Sequence, residues 1–186
     1  MNLRRSARRL LALTLVSCLC APSLAESVSD DDVRLALVYK IARFVTWPVS
    51  SNHQAAPLRL CFANGEIFEL AQKRLTGRSV KERPLQVLYV AEDIADVSTT
   101  CDILYMARTE KDRVEELISL VSNNPILTVS DTPDFVEVGG MIGLSAKSKK
   151  VAIRINVAAY ESSNLVVSSQ LLELAELFDE NRRARR

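Results

Sequence analysis

The sequence predicts an α/β fold: a single three-layer domain with a mostly parallel sheet and an antiparallel hairpin added late. Three observations predict it. First, short apolar runs alternate with amphipathic stretches from residue 33 to residue 129, and strands separated by helices pair in parallel through right-handed crossovers. Second, the alternation stops after Gly139-Gly140, where two strand-like runs follow with only 145–150 between them. So short a polar connection suits an antiparallel hairpin. Third, no internal repeat and no linker divides the chain. The expected organisation is a signal peptide over 1–25, the α/β domain over 26–178 and a basic tail over 179–186.

Arg4, Arg5, Arg8 and Arg9 form a basic n-region, and 10–20 is an apolar h-region too short to span a bilayer. Ser23-Leu24-Ala25 offers small residues for cleavage before Glu26, so the chain is expected in the periplasm. Leu15-Val16-Ser17-Cys18 also reads as a lipobox, which would instead leave the protein anchored through a lipid on Cys18. The cleavage site favours plain secretion. Cleavage removes four arginines and no acid, so the formal charge moves from +1 to −3. That balance excludes a basic nucleic-acid binder. The 161 residues that remain suffice for one domain with its own core. The run Arg182, Arg183, Arg185 and Arg186 reads as a solvated tail, with a membrane-surface contact as the lesser reading.

The elements follow in order. Asp30, Asp31 and Asp32 suit a helix N-terminus. Val33, Ala36, Leu37, Ile41, Phe44 and Val45 carry the helical spacing, and Pro48 stops it. A polar loop over 49–57 precedes a strand over 58–62. Asn64-Gly65 turns the chain into a helix over 66–75, closed by Gly77. The run 85–90 is nearly all apolar, as in a strand buried on both faces, and 101–106 reads the same way. A helix over 111–121 and a strand over 126–129 follow. Ser168 or Ser169 caps a last helix with Leu171, Leu172, Leu174, Ala175 and Phe178 on its buried side.

Catalytic constellations are missing. His53, the one histidine, sits in a polar loop and reads as an exposed bystander. Glu115-Glu116 and Asp93 with Asp96 read as solvated faces, and no G-x-S-x-G elbow supports a serine hydrolase. No metal and no cofactor is expected, and the chain reads as no enzyme. Gly139, Gly140 and Gly143 suggest a phosphate loop, but such a loop follows a strand and opens a helix. Here the glycines follow a helical turn over 132–138 and open a strand. They read as a left-handed turn and then an edge strand with close backbone approach at Gly143. Trp47 ends the first helix, either as a core residue or as an exposed anchor for a partner. Cys61 and Cys101 remain after cleavage. An even count in an exported chain suggests a disulfide, and two buried free thiols are the alternative.

Several segments in order carry a family resemblance: "RFVTWP" (43–48), "LRLCF" (58–62), "CDILYM" (101–106), "PILTVSD" (125–131), "GGMIGL" (139–144), "VAIRINV" (151–157) and "LVVSSQLLELA" (165–175). Together they resemble the YfiR family of secreted proteins over about 32–177. The resemblance implies a periplasmic repressor. Such a protein binds the periplasmic sensory domain of an inner-membrane diguanylate cyclase and is relieved when an outer-membrane lipoprotein sequesters it. Cyclic di-GMP then rises, favouring biofilm formation. It also implies a homodimer and a disulfide between Cys61 and Cys101. A second cysteine pair found in the family near the Gly-Gly-Met segment has no counterpart, because no cysteine follows Cys101.

One tension accompanies that disulfide. With Cys61 ending one strand and Cys101 starting another, a simple parallel sheet sets them at opposite edges, whereas a disulfide needs Cα atoms within about 7 Å. The partner surface is expected at Met141, Ile142, Leu144, Leu165, Val166 and Val167, with Trp47. These read as apolar groups at a sheet edge that a dimer mate or partner must cover. The alternative function is a periplasmic small-ligand binding module. It would use the crevice beyond the strand ends near Phe62-Ala63-Asn64 and Ser130-Asp131.

Overall fold

The structure is a computed structural model that describes residues 29–48, 56–91, 97–147 and 150–179. The expected signal segment with Cys18, the loop with His53, the pair Asp93 and Asp96, and the arginine tail lie outside the described residues. In chain order the elements are α1 (Asp30–Ala42), β1 (Val45–Thr46), β2 (Leu58–Phe62), α2 (Gly65–Leu75), β3 (Ser79–Val80), β4 (Arg83–Tyr89), α3 (Val97–Thr100) and β5 (Ile103–Tyr105). There follow α4 (Lys111–Val121), β6 (Leu127–Ser130), β7 (Ile142–Lys147), β8 (Lys150–Asn156), α5 (Val157–Ser162), β9 (Val166–Val167), α6 (Ser169–Leu174) and β10 (Glu176–Phe178).

The helix starts follow from capping chemistry. The Ser29 hydroxyl accepts from the Asp32 amide at 3.1 Å, and the Asp32 carboxylate accepts from the Ser29 amide at 3.1 Å. This reciprocal box satisfies donors that α1 would otherwise leave unpaired. Asn64 does the same for α2, accepting from the amides of Glu66 and Ile67. Gly77 follows α2 in the left-handed region, at φ 77°.

Eight strands form one sheet in the order β10-β8-β7-β6-β5-β2-β4-β3. The strands from β4 to β7 pair in parallel; β7 with β8 and β3 with β4 are antiparallel, and β10 joins β8 in parallel. Alternating strand residues feed two cores. Leu58, Leu60, Phe62, Ile103 and Tyr105 meet α1 and α2 on one face. Cys61 and Leu104 meet α3, α4 and Phe135 on the other. The layers are therefore helix, sheet and helix, as the alternation predicts.

Several expectations are corrected. The late hairpin is not at an edge: β7 lies between β6 and β8, and β10 lies beyond β8. β4 is not buried on both faces. Leu85 is buried but Gln86 is exposed, because only the two-residue β3 separates β4 from solvent. α1 stops at Ala42, since Val45 pairs with Val167 instead of extending the helix. The last helix ends at Leu174, and 176–178 become the edge strand β10. Leu174 is consequently 75% exposed, not buried.

The glycine turn is explained by packing. Gly139 sits at φ 100°, a region costly for side-chain-bearing residues. At Gly140 a Cβ would stand inside normal contact with the ring of the buried Phe135. At Gly143 the nearest side-chain atom is 3.4 Å away. Gly140→Ala is therefore expected to lose about 1–3 kcal/mol in urea denaturation, and Gly143→Ala distinctly less.

Candidate partner-binding face

A disulfide ties the body of β2 to the turn that precedes the amino end of β5. Cys61 and Cys101 are disulfide-bonded with Cα atoms 5.8 Å apart, and both are buried. The geometric tension disappears for two reasons. β2 and β5 are direct neighbours, and β5 begins only at Ile103. Cys101 instead ends a helical turn, its amide donating to the Val97 carbonyl at 3.1 Å. That turn lays it over the sheet face to which Cys61 points.

Asp102, the next residue, gathers the surrounding elements. Its carboxylate accepts from the Arg59 amide at 2.8 Å and from the Arg59 guanidinium at 3.2 Å on both oxygens. Arg83 of β4 adds a contact at 3.4 Å. The Asp102 carbonyl accepts from the Trp47 indole nitrogen at 3.1 Å. One residue so ties β2, β4, β5 and the segment after α1. Sequence reasoning missed it. The available signal was a charge at the start of each of three apolar runs: Arg59, Arg83 and Asp102.

The tether on Trp47 positions a small ribbon. β1 and β9 form a separate two-stranded antiparallel sheet, with Val45 opposite Val167 and Thr46 opposite Val166. The Ser168 amide donates to the Phe44 carbonyl at 2.9 Å, and Lys81 donates to the Val45 carbonyl and the Thr46 hydroxyl, both at 3.0 Å. The ribbon thus unites Trp47, Val166 and Val167, three of the expected partner residues. Val166 is 63% exposed, whereas Val167 and Leu165 pack inward. Met141, Ile142 and Leu144 are not brought to it. They are buried in the main sheet, because β7 is flanked on both sides. Trp47 is half-buried against the core.

The opposite end of the sheet holds the crevice expected for a small ligand. From β2 the chain moves to β4 on one side and then to β5 on the other, so α2 and α4 cover opposite faces. The carboxyl ends of β2 and β5 are thus the switch point where open sheets bind ligands. Here α1 stands over it. The Arg108 guanidinium contacts Asp31 at 2.6 Å, Arg34 contacts Asp131 at 3.4 Å, and the Arg108 amide donates to Asp131 at 3.2 Å. The Ser130 hydroxyl bonds the Met106 carbonyl and Thr132, and the Asn64 side chain caps α2. The polar groups expected to receive a ligand are held within the chain.

Tyr105 lies beneath this ion-pair cluster, 1% exposed and edge-on to Phe62. Burial raises its phenol well above the ordinary value of 10.0, and the Asp131 carboxylate adds to the shift. At the rim, the hydrogen bonds from Ser29 hold the Asp32 carboxyl below the usual carboxylate range.

Among the described residues, no group of histidine, cysteine and acidic side chains could hold a metal ion, and no helix is long and apolar enough to cross a membrane. A family model described as YfiR/HmsC-like matches residues 31–176. A solved structure described as a conserved domain protein from Vibrio cholerae O1 biovar El Tor strain N16961 is similar in fold, with a TM-score of 0.53 at 14% identity. That match covers 82% of this chain and 60% of the other, so this chain spans less than two thirds of that protein.

Two outcomes follow. Asp102→Asn leaves Arg59 and Arg83 without their countercharge and should cost about 2 kcal/mol in urea denaturation. For Tyr105 the fold accommodates the neutral phenol, so its contribution to stability is complete below pH 10 and declines as pH rises through the raised folded value. Ultraviolet titration of the four tyrosines should leave one un-ionised until the protein unfolds.

Proposed function

The chain belongs to the YfiR/HmsC-like family, and from that premise we propose a periplasmic regulatory protein of diguanylate cyclase signalling. It binds and represses the periplasmic sensory domain of an inner-membrane diguanylate cyclase. An outer-membrane lipoprotein relieves the repression by sequestering it. Repression requires that it bind the inactive state of the cyclase better than the active one, since only differential affinity shifts a two-state equilibrium.

The observation that carries this reading is the β1–β9 ribbon. It presents an exposed aliphatic residue, Val166, beside a tryptophan whose indole is held by Asp102. Aromatic anchors on rigid supports are what binding hot spots are made of. The small-ligand alternative gains less support, because α1 stands on the crevice it would use.

The test is binding to the periplasmic domain of a diguanylate cyclase from the same cell, measured by calorimetry. Val166→Asp should weaken the complex by about tenfold or more, as loss of a central apolar contact does, and leave the melting temperature unchanged. Leu120→Asp, an equally surface-placed change on α4, should leave the affinity intact.

A further inference from the structure

The ion pairs divide the surface unevenly. Among the described residues, every arginine and lysine with a described side chain has a carboxylate partner except Lys40, Arg43, Lys73, Arg78 and Lys81. All five are exposed, and all five lie where the ends of α1 and α2 meet the β3–β4 turn. Contacts tie the corner together. The Arg78 guanidinium lies 5.5 Å from the Tyr39 ring centroid, and the Tyr39 hydroxyl donates to the Ser79 carbonyl at 2.8 Å. Lys81 reaches Val45 and Thr46 at 3.0 Å, and Thr46 pairs with Val166. The cationic corner is therefore continuous with the ribbon that bears Trp47 and Val166.

Helix dipoles explain only part of this charge. Two helix C-termini supply about half a negative charge each, against five cations. Glu69 and Glu82 are exposed on the same elements and form no ion pair with them. The corner is made of two helix ends and two left-handed reversals, at Gly77 and Lys81. Exposed cations beside a half-buried tryptophan and an exposed valine suit an anionic surface with an apolar layer beneath it. Lysine and arginine extend their charged ends to headgroups while the aromatic and aliphatic groups sit at the apolar boundary.

We propose that this corner, Lys40, Arg43, Arg78 and Lys81 with the adjoining ribbon, docks the protein on an anionic phospholipid surface. The inference does not depend on which membrane protein is regulated. Docking would confine the protein to the layer in which a membrane-bound partner is found and raise its effective concentration there.

The test is flotation of the mature protein with vesicles of phosphatidylcholine containing phosphatidylglycerol, against vesicles of phosphatidylcholine alone. Binding is expected only with phosphatidylglycerol, and it should be lost at high salt. Each neutralised cation should weaken it roughly five-fold, so Lys40→Gln with Arg43→Gln should weaken it roughly twenty- to thirty-fold. Lys111→Gln on α4 should have little effect. Lys40 and Lys111 lie on helices and Arg43 follows α1, all three exposed, and an unchanged melting temperature shows that both variants fold. Failure to float with phosphatidylglycerol vesicles overturns the proposal. So does flotation that survives the corner variant but is lost when the four arginines of the tail become glutamine. If the corner variant weakens association with the cyclase domain while no vesicle is bound, the corner serves an acidic protein surface instead, and the lipid assignment falls while the regulatory reading stands.

Discussion

The disulfide between Cys61 and Cys101, with Asp102 beside it, is the constraint on which the rest of the structure depends. It closes a segment with a sequence separation of 40, and a cross-link of that span stabilises by about 4 kcal/mol in the chain-entropy model. What it fixes matters as much as the energy. It holds the turn before β5 against β2, and so holds the Asp102 carboxylate where the Arg59 amide and guanidinium and the Arg83 guanidinium converge. A partly buried carboxylate of this kind is stable only while its partners are in place. The covalent bond and the ionic cluster therefore support each other. The carbonyl of Asp102 then carries the constraint outward to Trp47, and from Trp47 to the β1–β9 ribbon.

The two ends of the sheet are consequently different in kind. At the amino end, the hydrogen bond from Trp47 to Asp102 and the pairing of β1 with β9 hold an aromatic and an aliphatic side chain next to cations without carboxylate partners. At the carboxyl end, Asp31, Arg34, Arg108 and Asp131 neutralise one another over Tyr105. Such surface ion pairs contribute little stability individually, yet they cover the switch point that other open α/β sheets leave for a ligand. One end exposes Val166 beside Trp47, and the other is closed by the first helix of the chain.

Much of this was legible in the sequence where periodicity is strong. The strand over 58–62 and the helix over 111–121 match to the residue, because each carries an unbroken pattern with clear stops. The three-layer class followed from the alternation itself. What the sequence did not disclose are elements held by pairing, not by pattern. β1, β3, β9 and β10 have two or three residues each, too few to show a period, and exist because a neighbour supplies their hydrogen bonds. That is why Leu174 was expected inside and why the late hairpin was expected at an edge: β10 was invisible, and with it the strand that covers β8. The candidate surface was legible only in part. Trp47 and Val166 were singled out and lie on one ribbon, through the pairing of residues 45–46 with 166–167. Met141, Ile142 and Leu144 were singled out for the same apolar character but belong to the core, since composition cannot distinguish a covered strand from an exposed one. Asp102 was missed because its partners come from strands distant in sequence.

The central claim is that the amino end of the sheet is the working end. Hydrogen–deuterium exchange of the protein, alone and mixed with the periplasmic domain of the proposed diguanylate cyclase partner, tests it most directly. The account predicts slowed exchange in peptides covering 44–47 and 165–168, with 62–66 and 105–108 unchanged. Protection confined to 62–66 and 105–108 would contradict it, because the switch-point crevice would then be the surface through which the protein acts.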